Sequence, residues 1–166
     1  MAVDDPLTEL HGEHYRSLVR LATLVVDDVD LAEQLVQDAF VKLHLHWGRL
    51  RRRERAPAYL RSAVLNSARS QLRRRRVRER FEARRFVTPA VDTPEASALA
   101  MADHDRIVAA LRVLPDRQRE ALALRYLLDL PCAEAAAAMG VSQGAVKTHV
   151  HRGLDTLAHL LGEEDQ

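Results

Sequence analysis

The sequence predicts an all-α protein of two small helical domains joined by a flexible linker, and three observations lead there. Apolar residues make up 47% of the chain but aromatics only 4%, so its cores must be built from Leu, Val and Ala. Alternating β-branched runs are few and there are only six glycines, both of which favour helix over strand. Apolar positions recur at three- and four-residue spacing in two separate stretches, with a polar stretch carrying two prolines between them. A length of 166 residues accommodates two such units, each with a modest core. The domains are expected at 1–86 and 98–166, with a linker at 87–97.

The first helix is expected from Thr8 to Val26, with Leu10, Leu18, Leu21, Ala22 and Val25 on one side. Asp27-Asp28-Val29-Asp30 breaks it. Asp30 is the expected cap of the next helix, with Glu33 three places on completing a capping-box-like pair. Leu31, Leu35, Val36, Ala39, Phe40 and Leu43 then form an apolar stripe, leaving Glu33, Gln34, Gln37, Asp38 and Lys42 outside it. Trp47-Gly48 ends that helix, and an arginine-rich loop runs to Pro57, where a third helix begins. That helix is expected to bury Leu60, Ala63, Val64, Ala68 and Leu72 and to present Arg61, Asn66, Arg69, Arg73 and Arg76 on its other face.

Val87 to Ser97 holds Thr88-Pro89 and Thr93-Pro94-Glu95, the second of which resembles a helix start. Ile107, Val108, Leu111 and Leu114 make the first core stripe of the second domain. Pro115 starts a helix with Leu122, Tyr126 and Leu127 inside and Arg117, Arg119, Glu120 and Arg125 among its polar positions. Pro131 opens a short helix in which Ala135 to Ala138 let another helix pack closely. Gly140 supplies a positive φ for the turn, and Ser142 caps the helix that follows. Val146, Val150, Leu154 and Leu157 are its expected buried stripe. Lys147, Thr148, His149, His151 and Arg152 precede its first acid, Asp155, so the tip can enter a groove of duplex DNA without repulsion.

The net charge of +1 hides a segregation. Residues 1–48 carry three Lys/Arg against nine Asp/Glu, and residues 87–166 carry seven against twelve. The 49–86 segment carries fifteen arginines against Glu54, Glu79 and Glu82, a local +12 that marks a polyanion-binding surface. An arginine-studded helix beside a loop holding Trp47 suits backbone neutralisation with base stacking, as single-stranded DNA requires. The acidic first helix is the expected intramolecular cover for this segment, or a partner protein takes that place.

Other classes of function find little in the chain. There is no apolar run of about 18 residues for a membrane span, and no signal peptide follows Met1, so a cytoplasmic location is expected. Cys132 alone makes neither a disulfide nor a zinc site. His44 and His46, two apart, do not share a helix face. His11 and His14 lack a third ligand at suitable spacing. No glycine-rich phosphate loop or nucleophile elbow occurs, so neither an enzyme nor a cofactor or metal site is expected.

Three motifs in this order, "DLAEQLVQDAFVKL" at Asp30–Leu43, "AYLRSAVLNSARSQLRRR" at Ala58–Arg75 and "LPDRQREALALRYLLDLPCAEAAAAMGVSQGAVKTHVHRG" at Leu114–Gly153, resemble the bacterial sigma-70 family. The resemblance is to its extracytoplasmic-function (ECF) group, which keeps only regions two and four. It implies a sigma factor that binds core RNA polymerase, at the largest-subunit clamp helices and the flap, and directs promoter recognition and transcription initiation. By that resemblance Glu33, Gln34, Gln37, Asp38 and Lys42 face the polymerase. Trp47, Arg51, Arg52, Arg61, Asn66, Arg69, Arg73 and Arg74 face the −10 element, with a non-template base turned out into a pocket. Ser142, Gln143, Lys147, Thr148, His151 and Arg152 face the −35 element in the major groove. Promoter DNA is the second partner, and the resemblance leaves room for an anti-sigma factor as a third. Tyr59 stands where the family usually has tryptophan, Pro131 where serine is common, and Ala135 where a larger aliphatic is common. His149 and His151 replace residues that are often arginine and aromatic, which bears on the −35 sequence rather than the fold. The alternative is a stand-alone LuxR-type helix-turn-helix regulator with a helical partner domain.

Overall fold

A computed structural model of the chain describes residues 5–83 and 103–162. The expected linker at 87–97 and both domain boundaries lie outside the described residues. Among the described residues every regular element is helical: α1 (Pro6–Val26), α2 (Val29–His46), α3 (Ala56–Ala83), α4 (Asp103–Val113), α5 (Asp116–Leu122), α6 (Cys132–Met139) and α7 (Gln143–Gly162).

In the first unit α1, α2 and α3 pack on one another around Leu18, Leu21, Val25, Leu35, Val36, Leu43, Leu60 and Val64, all buried. Asp5 caps α1, accepting from Leu7 N–H, and Pro6 sits in its first turn, so the helix starts two residues before the expected Thr8. Asp27 ends it in the left-handed region at φ 54°, a position aspartate tolerates better than most side chains. The cap of α2 is Asp28, not the expected Asp30: its carboxylate accepts from Leu31 N–H at 3.0 Å. The fully extended backbone of Asp28 presents its side chain to the free N–H groups, whereas Asp30 is already in the first helical turn. In α3, Ala63 and Leu72 are half-buried, and Leu65, which the expected stripe omits, has no exposed surface.

In the second unit α5 continues into a π-helical turn at Ala123–Leu127, where Leu128 N–H bonds the Ala123 carbonyl five residues back. The wider turn carries Tyr126 and Leu127 outward, so both are exposed against expectation, while Leu124 and Leu130 go inside. The Arg125 guanidinium donates to the Leu130 carbonyl and holds this turn. Ile107 is exposed as well; Ala110 of α4 and Leu114, just past its end, are the buried positions there. Gly140 closes α6 at φ 67°; its N–H bonds the Ala137 carbonyl and the Val141 N–H that of Ala136, the paired pattern of a Schellman end. Ser142 Oγ accepts from Ala145 N–H at 3.1 Å and starts α7.

Val146 and Val150 of α7 pack inward as expected, but Leu154 is exposed. The buried position is its neighbour Gly153, where a Cβ would stand only 2.9 Å from Leu122 Cδ1. The absence of a side chain there brings α5 and α7 together.

The two units do not stand apart. α6 packs against α3 and α5 against α1, and one continuous apolar cluster runs from Leu18 through Leu65 to Leu124 and Met139.

Candidate nucleic-acid and polymerase interfaces

The α2 residues Glu33, Gln34, Gln37, Asp38 and Lys42 are all exposed. The structure brings three of them together: Glu33, Gln34 and Gln37 face Gln71, Arg75 and Arg78 of α3 across a groove of about 700 Å³. Arg75 is fixed in it by donating to the Val26 carbonyl at 3.0 Å. Asp38 and Lys42 lie outside that lining. The result is a mixed-charge, amide-rich concavity.

The eight residues assigned to the −10 element fall into three places. Arg51 and Arg52, with Leu50, Arg55 and Tyr59, line a hollow of about 530 Å³ between the loop and the start of α3. Trp47 backs this loop, half-buried against the core, with the Arg53 guanidinium 5.3 Å from its ring centre. Arg61, Asn66 and Arg69 lie further along α3, on a flank turned to the second unit. Arg61 pairs with Glu134 at 3.0 Å, and Arg69 donates to both carboxylate oxygens of Glu120 at 2.9 and 2.7 Å and to Asn66 Oδ1 at 3.0 Å. Arg73 and Arg74 stand exposed on the outer part of α3.

This flank of α3 is where reasoning from the sequence missed most. Glu120, expected among the exposed polar positions, has no exposed surface, and Arg119 is buried beside it with Asp116 at 2.9 Å. Arg117 also reaches Glu120, at 3.2 Å. Within the chain, Arg61, Arg69 and Arg76 of the basic segment are therefore covered by α5 and α6, where the first helix or a partner protein was the expected cover. The one available signal was the unbalanced arginine charge of residues 49–86, which attracts acids from elsewhere in the fold as well as a polyanion.

Ser142, Gln143, Lys147, Thr148, His151 and Arg152 are all exposed at and after the start of α7. Thr148 Oγ1 donates to the Gly144 carbonyl, leaving its methyl free, and His151 lies 3.4 Å from Asp155. Near the N-terminus His11 stacks on Tyr15 at 4.6 Å and tilts against Phe40, and His14 lies 3.6 Å from the Glu13 carboxylate. No described helix is long and apolar enough to cross a membrane.

A helix-turn-helix whose second helix presents an exposed basic row, packed against a three-helix unit carrying an arginine-rich helix, defines the architecture of a DNA-binding protein. Residues 10–78 match the Sigma-70 region 2 family and residues 104–157 match Sigma-70, region 4. The chain is 31% identical over 153 residues to the RNA polymerase sigma-E factor of Streptomyces avermitilis, covering 90% of this chain and 81% of that protein. It is 30% identical to the sigma factor CarQ of Myxococcus xanthus, covering 96% and 91%, and 30% identical to the ECF sigma factor SigM of Mycobacterium tuberculosis, covering 93% and 76%. Among solved structures it superposes on the sigma factor RpoE of Bartonella quintana, bound there to the anti-sigma factor NepR, with a TM-score of 0.75 at 25% identity over 93% of this chain and 96% of that one. The chain belongs to the ECF group of the sigma-70 family, the promoter-recognition subunits that bind RNA polymerase. The LuxR-type alternative leaves the region 2 match without a role.

Proposed function

We propose that this sigma factor divides its work as follows: the α2 groove docks on core polymerase, the Trp47–Tyr59 loop and α3 hold the opened −10 strand, and α7 reads the −35 element. The observation that carries this reading is the separation of two basic surfaces on two units, one bearing a groove-sized helix and the other a hollow with aromatic and arginine walls.

The chemistry supports each part. In α7, Lys147 and Arg152 can donate to guanine O6 and N7, and the Thr148 methyl can touch a thymine methyl. Ser142 and Gln143, at the helix start, suit phosphate and base-edge contacts at the groove's rim. At the hollow, turning a base out of its stack costs a few kcal/mol. Tyr59 and the Arg51, Arg52 and Arg55 guanidinium groups offset that cost by stacking and phosphate contact, each stacked base contributing about 1–3 kcal/mol. Arg73 and Arg74 extend the same backbone path along α3. Glu33, Gln34 and Gln37 are the groove contacts to polymerase, with Asp38 and Lys42 on the neighbouring flank of α2. The resident location of such a protein is the cytoplasm, where polymerase and promoter are.

An anti-sigma partner is a further proposal, supported by the whole-chain likeness to a sigma factor held by one. The test of the main reading is run-off transcription from DNA recovered with polymerase and this chain in cells. Transcript is expected only when core enzyme and the chain are both present; duplex binding of equal strength and position without polymerase would reject it.

A further inference from the structure

Resting on the reading of α7 as the −35 helix, we infer that His151 and Asp155 make that contact proton-linked. The chain grips the −35 duplex tightly when His151 is protonated and weakly when it is neutral. Asp155 makes the neutral form costly, because it then sets an unanswered negative charge on the face turned to the DNA phosphates.

The placement comes from the helix itself. Lys147, Thr148, His151, Arg152 and Asp155 are separated by alternate steps of one and three residues, which keeps them on one stripe, and all five are exposed. His151 and Asp155 each stand two residues from Gly153, about 200° around the axis, so both point away from the buried crossing with α5. Asp155 is the one acid of α7, and it continues the basic row instead of lying behind it. An acid in that place is repelled by phosphates unless a cation answers it. The cation to hand is His151, whose Nε2 lies 3.4 Å from Asp155 Oδ2, with 79% and 63% of the two side chains exposed. Thr148 and Thr156 do not compete for either group, since each hydroxyl donates to the carbonyl four residues back.

One proton changes this stripe in two ways. With His151 neutral, Lys147 and Arg152 against Asp155 leave a charge of +1; with His151 protonated it doubles to +2. The ring also changes what it offers. With Nε2–H turned to Asp155, Nδ1 is an acceptor in the neutral ring and a donor in the imidazolium. Phosphate oxygens and guanine O6 and N7 are acceptors, so they take a hydrogen bond from the protonated ring. Histidine changes charge between about pH 5 and 8, which fixes the sign: affinity rises as pH falls through that range and is lost as pH climbs. Lys147 and Arg152 flank the pair on α7, and His149 and His159 lie on the same helix. Among the described residues neither His151 nor Asp155 contacts a charged group of α4, α5 or α6, the helices packed on α7. Charges of those helices pair elsewhere: Arg112 with Asp27, Glu134 with Arg61, and Glu120 with Arg69 and Arg117.

The experiment uses the full chain assembled with core polymerase. The probe is a fluorescein-labelled duplex of the promoter recovered from cells, mismatched over the −10 element so that strand opening does not limit binding. Anisotropy gives the affinity between about pH 6 and 8 at several salt concentrations. The wild type is expected to bind about tenfold tighter at the acidic end, the contribution of one base or phosphate contact, with a salt slope steeper by about one. His151→Gln is expected to stay at the weak level throughout. His151→Lys, charged at every pH used, should bind at the alkaline end as the wild type does at the acidic end. Asp155→Asn should bind several-fold tighter than the wild type at the alkaline end, a gain that a merely structural pair would not produce. His149, His159 and the polymerase are common to all four forms, so their own titration cancels in the comparison. An undiminished pH dependence in His151→Gln, or no gain from Asp155→Asn, overturns the proposal. Failure of the wild-type holoenzyme to bind at any pH rejects the sigma reading itself. Wild-type binding of equal strength across the range rejects only the proton linkage.

Discussion

Arg69 of α3 and Glu120 of α5 are 51 residues apart in the chain, yet their side chains meet in a two-point contact at 2.9 and 2.7 Å beneath the surface. Glu120 gives up all its contact with water for this partner and Arg117. Such a carboxylate stands at risk: with one partner removed, it remains buried and under-compensated, a loss of about 3–5 kcal/mol in comparable pairs. Arg69→Ala is therefore expected to lower stability sharply, and Arg69→Ala combined with Glu120→Ala to lower it by less than the two single effects together. Urea unfolding of the four forms reads the coupling; additivity within about 0.5 kcal/mol would show that the contact carries no energy of its own.

On α7 the exposed row Lys147, Thr148, His151 and Arg152 is expected to separate into two behaviours. A side chain that reads a base should cost about 1–3 kcal/mol on substitution by alanine and relax the sequence preference at one position. One that neutralises a phosphate should weaken all promoters alike and reduce the salt dependence by about one counterion. Arg152→Ala and Lys147→Ala, assayed as polymerase complexes on a promoter library at several salt concentrations, distinguish the two. Neither effect in either variant would remove α7 from the −35 contact.

Much of the architecture could be read before the structure because local rules decide it. Gly140 turns with positive φ and Ser142 caps α7 for reasons that lie within four residues of each. The exposed α2 face and the exposed tip of α7 follow from where the apolar stripes leave room. Glu120 could not be found this way. Periodicity assigns a charged residue to the surface, and nothing near Glu120 in sequence says that Arg69 will meet it. Leu154 was misplaced for a related reason: counting apolar side chains cannot register Gly153, whose contribution is having none. The exposure of Tyr126 and Leu127 depends on one extra residue in a π-helical turn, a shift invisible to a pattern of 3.6.

The hollow beside Tyr59 leads to a prediction about strand opening. Tyr59 is exposed at its rim with Arg51, Arg52 and Arg55, and Trp47 stiffens the loop behind them through Arg53. Tyr59→Ala and Trp47→Ala are each expected to lower open-complex formation by about tenfold, the loss of one stacked base or its support. Permanganate reactivity of unpaired thymines measures this. On a promoter already mismatched over the −10 element, where unpairing has no cost, much of the defect should be recovered. An equal defect on matched and mismatched templates would assign these aromatics to folding or polymerase binding instead.

The tight crossing of α5 and α7 sets a stability prediction at a buried position of α7, next in sequence to its exposed basic row. An added Cβ at Gly153 would lie 2.9 Å from Leu122 Cδ1 and 3.2 Å from Leu122 Cγ, and Leu122 is itself buried. A terminal methyl can rotate away, but the Cγ contact follows the backbone, so α7 must shift outward by a few tenths of an ångström or more. Helix propensity works the other way, favouring alanine over glycine by about 1 kcal/mol. Overpacking in a closed core costs about 1–3 kcal/mol, so the net expectation for Gly153→Ala is a modest loss. Adding Leu122→Ala should remove the clash, leaving the double variant more stable than Leu122→Ala alone. Thermal unfolding of the three variants against the wild type decides it: if alanine at 153 stabilises the otherwise native chain, the crossing has slack and Gly153 is not what sets the distance between these helices.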